Sequence, residues 1–205
     1  MDPAAKTDDI LRLCEEASEW RFASVCVHPC YVPLAAARLK GKGIKICSVV
    51  GFPLGANTMS SKAYEAERAY MDGAAEIDMV MNISNVKNGS YDLLREDIVG
   101  VVRSVPQCTV KVILETCLLE DDEILKACSE AVKAGAHFLK TSTGFSSGGA
   151  TVRHVELIRR NLPPAIGLKA SGGIRDRESA LAMIAAGANR LGTSRSVSIC
   201  KIVSD

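Results

Sequence analysis

No apolar run in the chain approaches the roughly 20 residues that a membrane span needs. The stretch Met1–Thr7 has neither the apolar core nor the flanks of a signal peptide. A cytoplasmic protein with no membrane partner is therefore expected. No block of one charge sign is present either: 25 Lys and Arg against 24 Asp and Glu leave a net charge of +1. That removes the electrostatic case for nucleic acid or an anionic surface and points to a small-molecule partner. Metal-ligand spacing is lacking as well. Cys26 and Cys30 are too far apart for a CxxC pair, and His28, His137 and His154 form no ligand pattern with any cysteine, so no metal is expected. Disulfides are not needed: 205 residues, 47% of them hydrophobic, can bury a core without staples, and the eight cysteines lie mostly inside apolar patterns. They are read as free thiols.

What the sequence does have is rhythm. Short apolar runs alternate with amphipathic stretches, the pattern of βα units and a parallel sheet. The expected strands are Ala23–His28, Lys45–Gly51, Glu76–Asn82, Val110–Thr116, Phe138–Thr143, Gly167–Ser171 and Asn189–Thr193. Helices are expected at Asp8–Trp20, Val32–Lys40, Ser60–Asp72, Tyr91–Ser104, Glu120–Ala134, Val152–Asn161 and Arg177–Ala186, with a stub from Val197 onward. Gly-Ala pairs at Gly73, Gly135 and Gly187 recur just before strands, where glycine closes a helix. This repeat favours an α/β architecture of the TIM-type (β/α)8 barrel, in one domain over residues 1–205. Closure needs eight strands, and only seven are identifiable. The absent one should precede Asp8. A doubly wound open sheet is the competing architecture, but no glycine-rich turn follows the first strand to hold a dinucleotide.

The chemistry is concentrated in charged residues within apolar strands. Lys140 and Lys169 occupy two consecutive strands, and lysine is rarely buried without a partner. Strand alternation sends each to the side opposite Leu139 and Leu168. If the leucines pack on helices, both ammonium groups point into the barrel near its C-terminal mouth. Like charge and desolvation would then favour the neutral amine, drawing one lysine from about 10.4 towards about 7–8, where it can attack a carbonyl. Residue physics alone does not say which lysine that is, and snorkelling or carboxylate pairing is the competing reading. Lys111 lies at the N-terminal end of its strand and is read as structural, paired with an acid. Asp78 has two compatible roles, ion-pairing with Lys169 and shuttling protons. Phosphate signals appear in Gly144, in the loop with Gly172, Gly173 and Arg175, and in Gly192 and Ser194; small residues after the last two strands let backbone N–H groups approach an anion. Ordinary βα turns would read similarly.

These residues resemble the class I deoxyribose-phosphate aldolases. The resemblance is carried by Ser24-Val-Cys-Val-His-Pro29, Val49-Val-Gly-Phe-Pro-Leu-Gly55, Glu76-Ile-Asp-Met-Val-Met-Asn82, Val110-Lys-Val-Ile-Leu-Glu-Thr116, Phe138-Leu-Lys-Thr-Ser-Thr-Gly-Phe145, Lys169-Ala-Ser-Gly-Gly-Ile-Arg175 and Arg190-Leu-Gly-Thr-Ser194. It implies reversible cleavage of 2-deoxy-D-ribose 5-phosphate to D-glyceraldehyde 3-phosphate and acetaldehyde, without metal or organic cofactor. Lys140 would be the Schiff-base lysine, and Lys169 and Asp78 the proton relay. Thr143 and Cys26 would lie near the substrate, although a small buried core role is the stronger reading of Cys26. A homodimer is the default expectation.

Two features depart from the resemblance. Family members begin with a strand carrying Asp-His-Thr, whereas this chain opens Met-Asp-Pro-Ala-Ala-Lys-Thr, so a second acid and a hydroxyl are absent from the mouth. Arg195 also stands where a small residue is commoner, and could either help or crowd a phosphate. Two other functions stay open: a phosphosugar isomerase or epimerase using a carboxylate base, and an impaired or inactive barrel serving as a binding or interaction protein.

Overall fold

The computed structural model describes residues 1–201. Seven parallel strands run β1 (Ser24–Val27), β2 (Lys45–Val50), β3 (Glu76–Val80), β4 (Thr109–Ile113), β5 (Phe138–Lys140), β6 (Gly167–Ser171) and β7 (Arg190–Gly192), each hydrogen-bonded to the next in sequence order. The main helices are α1 (Thr7–Glu19), α2 (Val32–Leu39), α3 (Met59–Met71), α4 (Ile83–Lys87), α5 (Tyr91–Ser104), α6 (Asp121–Lys133), α7 (Val152–Arg160), α8 (Arg177–Ala185) and α9 (Ser196–Cys200). All seven expected strands are present. The expected helical stub beyond Val197 is α9 as far as Cys200, and its continuation past residue 201 lies outside the described residues.

Every residue of β3 and β6 is buried, as in a parallel sheet covered on both faces. Alternation nevertheless sorts their side chains. Ile77, Met79, Val110, Val112, Leu139 and Leu168 join the hydrophobic cluster with Leu94, Ile98 and Ile124 from the helices. The intervening Glu76, Asp78, Lys111, Lys140 and Lys169 point to the inner side, as the flanking leucines predicted. Helices α3, α6 and α8 hand the chain to the sheet through glycine; Gly73 and Gly187, with φ of 109° and 107°, adopt the left-handed conformation that closes a helix.

The short helix α4 was not anticipated. Asn82, expected as the last residue of a strand, instead caps it, its side-chain oxygen accepting from the Asn85 N–H at 3.4 Å. β5 is also shorter than expected, ending at Lys140; residues 141–143 form no strand, although Thr141 N–H still donates to the Lys169 carbonyl.

The sheet curls but does not close: β1 and β7 are its edges and do not pair. Met1–Thr7 forms no strand among the described residues, although Met1 and Asp2 reach the cavity beside the gap. That interior is mixed, with Lys169 and Arg190 alongside Leu13, Phe22 and Ile199, and Arg190 reaches towards Ser24 Oγ at 3.5 Å across the opening.

Candidate active site

The sheet register stacks the charged residues in layers. Asp78 lies opposite Lys111 across β3 and β4, and Lys140 lies opposite Lys169 across β5 and β6. Their side chains converge on one carboxylate. Asp78 Oδ2 accepts from Lys140 Nζ at 2.8 Å and from Lys169 Nζ at 2.7 Å, while Oδ1 accepts from Lys111 Nζ at 2.9 Å. Glu76 holds the other side of Lys111 at 2.7 Å, and Arg190 approaches Glu76 at 3.5 Å. Asp78, Lys111 and Glu76 are essentially inaccessible, while Lys140 and Lys169 are each 5% exposed at the floor of the cavity.

Placement changes the electrostatic expectation. Burial alone would push the Asp78 carboxyl up, yet the charges of Lys140, Lys169 and Lys111 carry it well below the usual carboxylate range. Burial pushes Lys169 down, as the sequence predicted, but the Asp78 charge and the nearby Cys47 and Cys26 sulfurs more than offset it, and the net direction is up. Asp78, expected to pair with Lys169, is shared by Lys140 as well, and its charge outweighs the mutual repulsion of the two lysines. Lys169 is thus held charged. Lys111, likewise raised by Cys47, Asp78 and Glu76 against its burial, is the paired structural lysine that its strand position implied, but it touches Asp78 directly and so belongs to the charge network.

A cavity of about 780 Å³ opens above this floor. Lys140, Lys169, Cys26, Thr143, Gly144, Gly172, Gly173, Gly192 and Ser194 all line it, with Asp78 directly beneath. The glycine loops meet backbone to backbone: a Cβ on Gly172 would fall 3.1 Å from the Gly149 Cα and 3.5 Å from the Gly144 Cα. On Gly192 a Cβ would fall 3.0 Å from Lys169 Cε, so a side chain there would press on the lysine. Arg175 and Arg190 add positive charge to the wall, whereas Arg195 is exposed and outside the lining, so it does not crowd the cavity. Cys26 is not the buried core residue expected; it is half-buried and faces the cavity, because strand alternation puts Val25 and Val27 on the packed side.

Sequence reasoning overlooked two participants. Glu115 adopts φ 54°, a left-handed conformation rare for a side chain of its size. Its carboxylate accepts from the Thr143 N–H at 3.2 Å and from the Thr143 hydroxyl, fixing the loop that follows Lys140. The only signal was a carboxylate at the end of an apolar run. Cys47 was passed over as a core thiol; its Sγ donates to Asp78 Oδ1 at 3.1 Å. With Cys26 and Asp78 it forms the one group of metal-like spacing among the described residues, but three ammonium groups crowd the same carboxylate and oppose a cation there.

The DeoC/LacD family aldolase profile matches residues 1–196. The chain belongs to this family. It is 56% identical over 191 residues to a deoxyribose-phosphate aldolase of Geobacillus, covering 93% of this chain and 86% of that one. With the deoxyribose-phosphate aldolase of Streptococcus sanguinis it shares 53% identity over 201 residues, covering 98% and 91%. The solved deoxyribose phosphate aldolase of Aeropyrum pernix, described as tetrameric, superposes with a TM-score of 0.90 at 33% identity, over 97% of this chain and 84% of that one.

Proposed function

We propose that the chain cleaves 2-deoxy-D-ribose 5-phosphate reversibly to D-glyceraldehyde 3-phosphate and acetaldehyde, with Lys140 as the Schiff-base lysine. The observation that carries this reading is the single buried carboxylate shared by Lys140 and Lys169 at the floor of a cavity walled by glycine loops and arginines. Lys169 is held charged beside Asp78, and the attacking amine in this reading is that of Lys140. Its Nζ adds to the aldehyde carbon of the open-chain sugar, and loss of water leaves a protonated imine. Removing the C3 hydroxyl proton breaks the C2–C3 bond, whose electrons pass into the imine to give an enamine. Glyceraldehyde 3-phosphate departs; protonation of the enamine and hydrolysis release acetaldehyde and restore the amine. Lys169 and Asp78 carry the protons. The protonated imine serves as electron sink, so no metal or organic cofactor enters the cycle.

Gly144, Gly172, Gly173, Gly192 and Ser194 hold the phosphate in this reading, and Thr143 and Cys26 flank the sugar. Residues 1–205 act as one domain, in the cytoplasm, as a homodimer. An isomerase would need Asp78 as a free base, and three ammonium groups engage it. The gap between β1 and β7 supports a second reading, a barrel of reduced activity.

Incubation with 2-deoxy-D-ribose 5-phosphate should release both aldehydes in equal amounts, at a rate that a chelator leaves unchanged. Release of neither product overturns the aldolase reading, and a slow but stoichiometric release favours the open-barrel variant of it.

A further inference from the structure

Two sulfurs meet at the inner wall of the barrel where none was needed for the chemistry above. Cys26 of β1 and Cys47 of β2 are directly opposite in register, with both side chains on the inner face. Neighbouring strands lie about 4.8 Å apart, within the Cα separation that a disulfide can span. The two Sγ atoms lie within 4.8 Å of one another.

Their environments differ. Cys26 is half-buried and lines the cavity, so a small solute reaches it, whereas Cys47 is fully buried and outside the lining. The adjoining Cys47 side chain lowers the Cys26 thiol to about 6 against its burial and the Asp78 charge, with help from Lys169 and Lys140. Burial pushes the Cys47 thiol well up. One sulfur is therefore an accessible thiolate and its neighbour a protonated thiol, the arrangement of an attacking and a resolving cysteine. The remaining thiols lack one half of this. Burial raises Cys14 and Cys108 and pushes Cys128 up to about 12. Cys117 is half-buried and Cys30 and Cys200 are exposed, but none of the three is paired in register with a second cysteine.

We propose that Cys26 and Cys47 are a peroxide-sensitive dithiol, Cys26 reacting first and Cys47 closing a disulfide between β1 and β2 inside the cavity. The Cys26 thiolate attacks one oxygen of hydrogen peroxide; the O–O bond breaks, Cys26 becomes a sulfenic acid and hydroxide leaves. The hydroxide takes the Cys47 proton and departs as water. The Cys47 thiolate then attacks the Cys26 sulfur, the S–O bond breaks, and the second hydroxide leaves as water with a proton from solvent. Two sulfurs are oxidised by one electron each, and one peroxide is reduced to two waters. Bridging draws the Cys47 sulfur away from Asp78 Oδ1, now at 3.1 Å, and from Lys111 Nζ, now at 3.5 Å.

The proposal goes beyond the aldolase reading, and its test reads sulfur rather than turnover. The full-length protein is treated with a small molar excess of hydrogen peroxide, alkylated under denaturing conditions and mapped by mass spectrometry. A Cys26–Cys47 disulfide that a thiol reductant reverses is expected as the first product. In the Cys47→Ser variant oxidation should stop at Cys26, where dimedone tags the sulfenic acid, and in Cys26→Ser the buried Cys47 should stay reduced. Linkage of Cys26 to Cys200, oxidation of Cys30 or Cys200 while Cys26 and Cys47 remain free, or no dimedone label at Cys26 in Cys47→Ser overturns the proposal.

Discussion

Asp78 shows how one residue can reverse an argument made from its neighbours. Two strand lysines alone would repel each other and shed a proton, but a carboxylate at 2.7 and 2.8 Å from them keeps charge in the site. The strand alternation that aims all three inward was legible in the sequence. Their shared contact was not, because it joins residues 62 and 91 positions apart. Glu115 and Cys47 were hidden for the same reason: each matters through a partner on another strand. Replacing Lys169 by Leu should lower turnover roughly 10²-fold with the fold retained, since it removes a proton carrier. It also removes one of the charges that hold the Asp78 carboxyl down, so that carboxyl should rise and the acidic limb of the activity profile should move to higher pH. Steady-state rates across pH check this; an unshifted profile at full turnover would exclude the relay role.

Elements were read well where periodicity was strong and poorly where a side chain decided the boundary. Buried β-branched runs gave β2, β3 and β4, whereas α4 depends on Asn82 capping a short turn. One contact between elements left no trace in the pattern. Lys62 of α3 and Asp97 of α5 look like solvated helix charges, yet they form a 2.7 Å ion pair with the Lys62 side chain wholly buried. Asp97 Oδ2 also accepts from the Asn82 N–H at 3.2 Å, tying the start of α4 to both helices. Burial moves Lys62 down and Asp97 up despite the pairing, so the pair holds itself charged at a cost. Removing one partner strands the other charge. Asp97→Asn should destabilise by about 3 kcal/mol in denaturant unfolding, and Lys62→Met combined with Asp97→Leu should recover most of it. A single variant within about 0.5 kcal/mol of the parent would show the pair to be inconsequential.

At the scale of the whole molecule, counting strands was enough to place the opening. Seven strands in sequence order leave β1 and β7 with unpaired backbone edges, and the cavity reaches the gap between them. Which residues would line the opening was not legible, because the inward charges of β6 and β7 become neighbours of β1 only once the sheet curls. Adding an N-terminal strand of about five residues that pairs with both edges should raise Tm by several degrees, by calorimetry, and raise turnover. Equal Tm and turnover with and without it would mean that the opening has no energetic consequence. The central claim, however, concerns Lys140. Incubation with acetaldehyde and borohydride followed by peptide mapping should place one reduced two-carbon unit on Lys140 and none on the Lys140→Ala variant. Label on Lys169 or Lys111, or label that survives in Lys140→Ala, would contradict the account.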